Sequence, residues 1–124
     1  MGITVQELRN LDKDSYQIID MRDEIEVAHG SIPNAVHMPA EEIRKAIEEQ
    51  TEGAFPRDKK LVICCARGRF STDVAEALCE SGYDAVSLQG GYIAWLLDTM
   101  KQQEADEICA DVEQSIRKKF HKPI

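Results

Sequence analysis

Leu61-Val62-Ile63-Cys64-Cys65-Ala66-Arg67-Gly68-Arg69-Phe70-Ser71 is the stretch that decides the fold. A short apolar run ends in two cysteines, and a loop with two arginines and one glycine follows. Ser71, Thr72 and Asp73 then suit a helix start, with an acid in the first turn. Strand, tight loop and helix in that order place a thiol at the carboxyl end of a buried strand, beneath the amino end of a helix. Open α/β sheets bind ligands at this position. A thiol there is also readily made a thiolate.

Working outward, the flanking sequence repeats the strand–helix alternation. Thr4-Val5-Gln6-Glu7 fits a capping box, with Leu8 and Leu11 as the apolar side of a short first helix. Tyr16 to Met21 reads as a buried strand, followed by a charged helical turn from Asp23 to Ala28 and a loop at Gly30-Ser31-Ile32-Pro33-Asn34. Ala35 to Met38 reads as a short strand. Pro39 stands where helices start, and Ile43, Ala46 and Ile47 recur at helical spacing up to about Gln50. After the central strand, Val74, Ala75, Leu78 and Cys79 give the next helix its apolar face, with Gly82 as its stop. Ala85 to Leu88 is another strand, and Gly90-Gly91 turns the chain into a helix carrying Ile93, Trp95, Leu96 and Leu97. Continuous apolar strands alternating with helices predict a parallel sheet covered on both faces.

Length and composition narrow the options. A chain of 124 residues has room for one domain with a sizeable core, and 43% hydrophobic residues is ordinary for a globular protein. The longest purely apolar run, Leu61 to Ala66, is far too short to span a bilayer. Met1-Gly2-Ile3-Thr4 lacks a basic region followed by a long apolar one, so no secretory signal is expected and the cytoplasm is the expected compartment. The cysteines at 64, 65, 79 and 109 form no Cys-x-x-Cys pair and no Cys/His cluster, so neither a structural zinc site nor a disulfide framework is expected. A formal net charge of −8 disfavours direct nucleic-acid binding. Any anion site must therefore be built locally, and Arg67 and Arg69 stand in the one loop where that helps.

The loop has a quantitative task if it is to activate the thiol. A cysteine with a pKa near 8.5 is only about 3% thiolate at pH 7, and lowering the pKa to about 6.5 takes roughly 2.7 kcal/mol. A helix dipole supplies about 0.3–1 kcal/mol, which is too little. Backbone N–H groups donating to a charged acceptor give roughly 1.5–3 kcal/mol each. Two or three converging amides are the expected main source, with the arginines second. Gly68 permits the close backbone approach this needs. Two registers compete: from Cys65, Gly68 falls at the fourth position and Ser71 at the seventh, whereas from Cys64 it is arginine that falls at the sixth. Strand neighbours point to opposite faces, so only one thiol faces the loop. Cys65, as the last strand residue, is the favoured one, with Cys64 as core.

The residues now form a series: Asp20-x-Arg22, Glu26, Ile32-Pro33-x-Ala35, Cys65-x-x-Gly68-x-x-Ser71, Gly82-Tyr83 and Gly90-Gly91-x-x-x-Trp95. Together and in order they resemble the rhodanese (sulfurtransferase) homology domain of single-domain type, over about residues 3–100. The resemblance implies a five-stranded parallel sheet flanked by helices on both faces. It implies that Cys65 is the catalytic residue, carrying sulfane sulfur as a persulfide from a donor to a nucleophile, with no cofactor and no metal. The donor would be thiosulfate or a protein of the cysteine desulfurase type, and the acceptor a thiol or a protein, with no nucleic acid bound directly and no membrane. Ala66, Arg67, Gly68, Arg69, Phe70 and Ser71 would form the active-site, anion-binding loop. Asp20 and Arg22 would support it from a neighbouring strand end, Asp20 by pairing with arginine or loop amides. Arg22 is open between a salt bridge that organises the loop and a direct anion contact.

The sequence departs from the family pattern in three places. Phe70 and Ala66 stand where an arginine is common, and Gly30-Ser31-Ile32-Pro33 replaces Gly-His-Ile-Pro, with His29 displaced. His29 then reads as a surface or supporting residue and His37 as structural. The glycines Gly90 and Gly91 and the indole of Trp95 read as architecture, the indole filling core.

Residues 1–100 are thus expected to form the domain and 101–124 a C-terminal amphipathic helical extension. In that extension Ala105, Ile108, Cys109, Val112, Ile116 and Phe120 follow helical spacing, with acids first and bases last, as a helix dipole favours. The stretch from Glu107 to Ile124 also resembles the opening segment of the ATP-dependent tRNA 2-thiocytidine synthetase family. That would make the chain a fragment of a longer fusion feeding sulfur into tRNA thiolation. Two alternatives stay beside the leading reading: a non-catalytic interaction module, and a cysteine phosphatase or arsenate reductase on the same fold. The latter generally needs an arginine six positions after the nucleophile, where this chain has Ser71.

Overall fold

A computed structural model of the chain describes residues 2–104. Five parallel strands form one sheet: β1 (Gly2–Ile3), β2 (Tyr16–Asp20), β3 (Val36–His37), β4 (Lys60–Cys64) and β5 (Ala85–Leu88), in the order β1-β5-β4-β2-β3. Around it run α1 (Val5–Asn10), α2 (Glu24–Ala28), α3 (Ala40–Glu48), α4 (Phe70–Glu80) and a last helix, α5, over 91–104. The sheet and its helical layers are those expected. α5 continues without a break through residues 101–104, and the apolar series from Ala105 to Phe120 lies outside the described residues.

β4 is the middle of the sheet because its sequence buries on both sides. Leu61, Val62, Ile63 and Cys64 are each 0% exposed. Alternation then divides them. Leu61 and Ile63 join Ile43 of α3 and Ala75 and Leu78 of α4 in one core, with Cys65 continuing the same face. Val62 and Cys64 join Val5 and Leu8 of α1 in the other, against which Ala94 and Trp95 of α5 pack. Trp95 is only partly buried, and the Arg9 guanidinium lies over its ring at 4.0 Å.

Local chemistry sets the helix starts. At α1, Thr4 Oγ accepts from Glu7 N–H at 3.1 Å while the Glu7 carboxylate accepts from Thr4 N–H at 3.2 Å, completing the capping box. Pro39 occupies the N-cap position of α3.

β1 escaped the sequence reading. It is two residues long, too short for any periodicity, and it exists because Gly2 and Ile3 find Ser87 and Leu88 on the edge of β5. The 3₁₀ turn at Lys13–Ser15, capped by Asp12, likewise carries no periodic signal.

Leu78 lies fully buried between α4 and the sheet. Leu78→Ala is expected to lower stability by about 2–5 kcal/mol, read from the urea midpoint at an unchanged slope.

Candidate active site

Cys64 is the last residue on the sheet ladder, its carbonyl accepting from Met21 N–H at 2.9 Å. Cys65 is therefore the first loop residue, not the last strand residue that was expected. The cause lies in α5. Its first N–H groups take over the backbone, Tyr92 N–H donating to the Cys65 carbonyl at 2.8 Å and Ile93 N–H to that of Ala66 at 3.1 Å. Gly90 and Gly91, at φ 75° and 61°, make this approach possible. Any side chain at Gly91 would collide with the backbone of Cys65 and Ala66.

The loop then curls over the sulfur. Gly68, at φ 85°, points its N–H at Cys65 Sγ over 3.0 Å. A Cβ there would lie 2.8 Å from Gly90 N and 3.1 Å from the Leu88 carbonyl, so loop and turn pack backbone against backbone. α4 begins at Phe70, with Arg69 at the N-cap position and no side-chain cap. Ser71, expected at the helix start and in the anion-binding loop, is the second residue of α4 and turns inward, 0% exposed, with its hydroxyl 3.2 Å from Cys65 Sγ and 2.6 Å from Ser87 Oγ. Thr72 donates its hydroxyl to the Gly68 carbonyl, four residues back, at 3.0 Å.

These contacts set the thiol's acidity. Burial by itself raises the Cys65 pKa. The Ser71 hydroxyl and the facing N–H groups of Ser71, Gly68 and Arg67 outweigh it, leaving the thiol below its ordinary value. Arg67 thus acts through its amide, and the residues carrying the two loop guanidinium groups, Arg67 and Arg69, are exposed. The amides and one hydroxyl do the work expected of amides and arginines. Phe70 is 72% exposed on the loop's rim, and Ala66 is half-buried. Cys64 faces the opposite core, where burial pushes its pKa up to about 12. The register choice that set Cys64 aside agrees with this placement.

Asp20 ends β2 directly beside Cys64. Its carboxylate accepts from Arg22 N–H at 3.1 Å, from Arg22 Nε at 3.0 Å, from Arg22 Nη2 at 2.8 Å and from Ser31 Oγ at 2.6 Å. The same Arg22 Nη2 donates to the Gly30 carbonyl at 2.6 Å, and the guanidinium stacks on Tyr92 at 3.9 Å. Arg22 is only 7% exposed, and its Nε and Nη2 groups are engaged by Asp20 and the Gly30 carbonyl. His37 Nε2 bonds the Arg22 carbonyl at 2.7 Å, whereas His29 is exposed and bonds only locally, to the Ile25 carbonyl at 2.8 Å. Sequence reasoning missed Tyr92 and Ser87. The available signal for Ser87 was a hydroxyl residue inside the apolar run Ala85-Val86-Ser87-Leu88, on the same face as Ala85.

The site is thus a buried thiol under loop amides, at the end of the central strand of a parallel α/β sheet. The family model for the rhodanese-like domain matches residues 4–98, and the chain belongs to that family, as a rhodanese-type enzyme. YtwF of Bacillus subtilis is 37% identical over 84 residues, 68% of this chain and 76% of that protein. The thiosulfate sulfurtransferase GlpE of Shewanella oneidensis is 38% identical over 82 residues, 65% of this chain and 76% of that protein. The crystal structure of a rhodanese-like domain protein from Staphylococcus aureus superposes with a TM-score of 0.63 at 38% identity, covering 76% of this chain and 89% of that one.

The Asp20–Arg22 pair gives a stability prediction with a definite sign. The Asp20 pKa is shifted by burial, which raises it, and more strongly by the Arg22 and Ser31 hydrogen bonds, which lower it, so the net shift is downward. Its stabilisation is therefore complete above the unfolded carboxyl value of about 3.9 and lost as pH falls through the lower folded value. Asp20→Asn, which strands a buried guanidinium, is expected to cost about 3–5 kcal/mol at neutral pH. Urea titrations of wild type and variant should converge as the pH is lowered into the acid range.

Proposed function

We propose that Cys65 carries sulfane sulfur as a persulfide. The observation that supports this best is the pair of contacts on its sulfur, on a residue 5% exposed: Gly68 N–H donates to it at 3.0 Å, and the Ser71 hydroxyl lies 3.2 Å away, accepting from the thiol and free to donate to the thiolate. Donors fixed in a buried site stabilise an anionic sulfur without reorganising. In the first step the Cys65 thiolate attacks the outer sulfur of the donor. A new S–S bond forms, the donor's own bond to that sulfur breaks, and its electron pair leaves as sulfite from thiosulfate, or as a thiolate from a protein persulfide. In the second step an acceptor thiolate attacks the outer sulfur, and the Cys65 thiolate leaves with the electron pair.

Cys65 is the catalytic residue in this reading, and residues 66–71 are its loop, holding the sulfur anion. Asp20 and Arg22 act as the frame that fixes the loop's neighbour. Arg67 and Arg69, on the exposed rim, offset locally a net charge of −8 that otherwise repels anionic donors. The donor is thiosulfate or a cysteine desulfurase-type protein, and the acceptor is a thiol or a protein. Onward delivery of sulfur to tRNA thiolation, through the extension that follows the domain, is supported by the sequence resemblance of 107–124. Among the described residues no helix is long and apolar enough to cross a membrane.

Incubation with thiosulfate is expected to add the mass of one sulfur to the wild-type chain and none to Cys65→Ser, read by intact-protein mass spectrometry under non-reducing conditions. An equal gain in the variant would move the persulfide to another cysteine.

A further inference from the structure

Two serines lie buried side by side behind the thiol, Ser71 at 0% and Ser87 at 2% exposure. Their oxygens are 2.6 Å apart, and only Ser71 reaches Cys65 Sγ. We propose that Ser87 is a positioning residue for Cys65, acting through Ser71 as the far end of a hydroxyl relay whose direction reverses when the thiol ionises.

Proton counting gives the reversal. Ser71 has one hydroxyl proton and two partners. When Cys65 is neutral, its S–H donates to Ser71 Oγ, and Ser71 donates to Ser87. When Cys65 is a thiolate the sulfur can only accept, so Ser71 donates to it and Ser87 donates to Ser71. Ser87 thereby polarises the one side-chain hydrogen bond on the anion, and bonds to charged acceptors in a dry interior reinforce one another. The strand fixes this arrangement. Ser87 pairs in register with Ile63 of β4 and sits on the sheet face that Cys65 continues under α4. Other ionisable groups around the pair are committed elsewhere. Cys64 faces the opposite core, Asp20 and Arg22 of the β2 end bind each other, and the hydrogen-bonding side chain that α4 turns toward the sulfur is Ser71.

The consequence for turnover rests on the persulfide reading. Stabilising the Cys65 thiolate makes it a better leaving group when the outer sulfur moves to an acceptor, so the relay favours discharge over loading.

The test is the pH dependence of iodoacetamide alkylation at Cys65, followed in a Cys64→Ala background. Ser87→Ala is expected to raise the alkylation midpoint by about half a pH unit, from a cooperative gain of about 10–30% per linked bond. Ser87→Thr keeps a hydroxyl and is expected to restore the original midpoint. Adding Ser87→Ala to Ser71→Ala is expected to move it no further than Ser71→Ala alone. An unchanged midpoint in Ser87→Ala, or an equal shift in the Ser71→Ala background, would overturn the relay. If Ser87→Ala does not fold, the folded Ser87→Cys variant replaces it; its weaker donor should shift the midpoint in the same direction, and no shift overturns the relay. Because alkylation needs no sulfur transfer, loss of persulfide loading with the midpoint shift intact would remove the reading of function and leave the relay standing.

Discussion

The active end of this molecule depends on the handover of backbone between β4 and α5. Central strands in parallel sheets are bonded on both sides, and a loop leaving one must find other partners for its carbonyls at once. Here the carbonyls of Cys65 and Ala66 are taken by the N–H groups of Tyr92 and Ile93. That contact needs bare backbone at Gly90 and Gly91, and it fixes where the chain departs from the sheet. Once Cys65 is anchored, the left-handed turn at Gly68 has one direction in which to curl, and it brings an amide onto the sulfur.

The rest of the site is a frame around that anchor. Asp20 and Arg22 tie the end of β2 to the loop at Gly30 and Ser31, and Arg22 stacks on Tyr92, the residue whose amide holds Cys65. The buried pair is thus linked to the cysteine loop through one side chain of α5. Such a pair gives little net stabilisation over an apolar replacement, and breaking it is severe. Its geometry matters more than its energy: three donors of Arg22 and the Ser31 hydroxyl leave the carboxylate no freedom to turn.

The chemistry follows from how little positive charge the thiol meets. The anion is stabilised by neutral dipoles, the Ser71 hydroxyl and backbone N–H groups, while the loop's arginines stand on exposed positions. Fixed dipoles lower the thiol's pKa without an ion pair. The arginines are left to act at the rim, where an exposed Phe70 is their neighbour.

Much of this was legible in the sequence because it depends on local chemistry. The run Leu61 to Cys65 reads as a buried strand, Thr4 and Glu7 make a cap from local chemistry, and alternation on a strand separates Cys64 from Cys65. The series from Asp20-x-Arg22 through Cys65-x-x-Gly68-x-x-Ser71 to Gly90-Gly91-x-x-x-Trp95, taken together, carried the family. Tertiary structure decided what one-dimensional pattern does not carry. β1 became a strand because β5 offered it an edge, and β4 ended one residue early because α5 claimed the next carbonyl. The Ser71 hydroxyl found its second partner in the buried Ser87, sixteen residues on, beneath the same helix. Each of these is a hydrogen bond between segments distant in sequence, and its partner is chosen by the packing of the sheet and not by the residue's own neighbours.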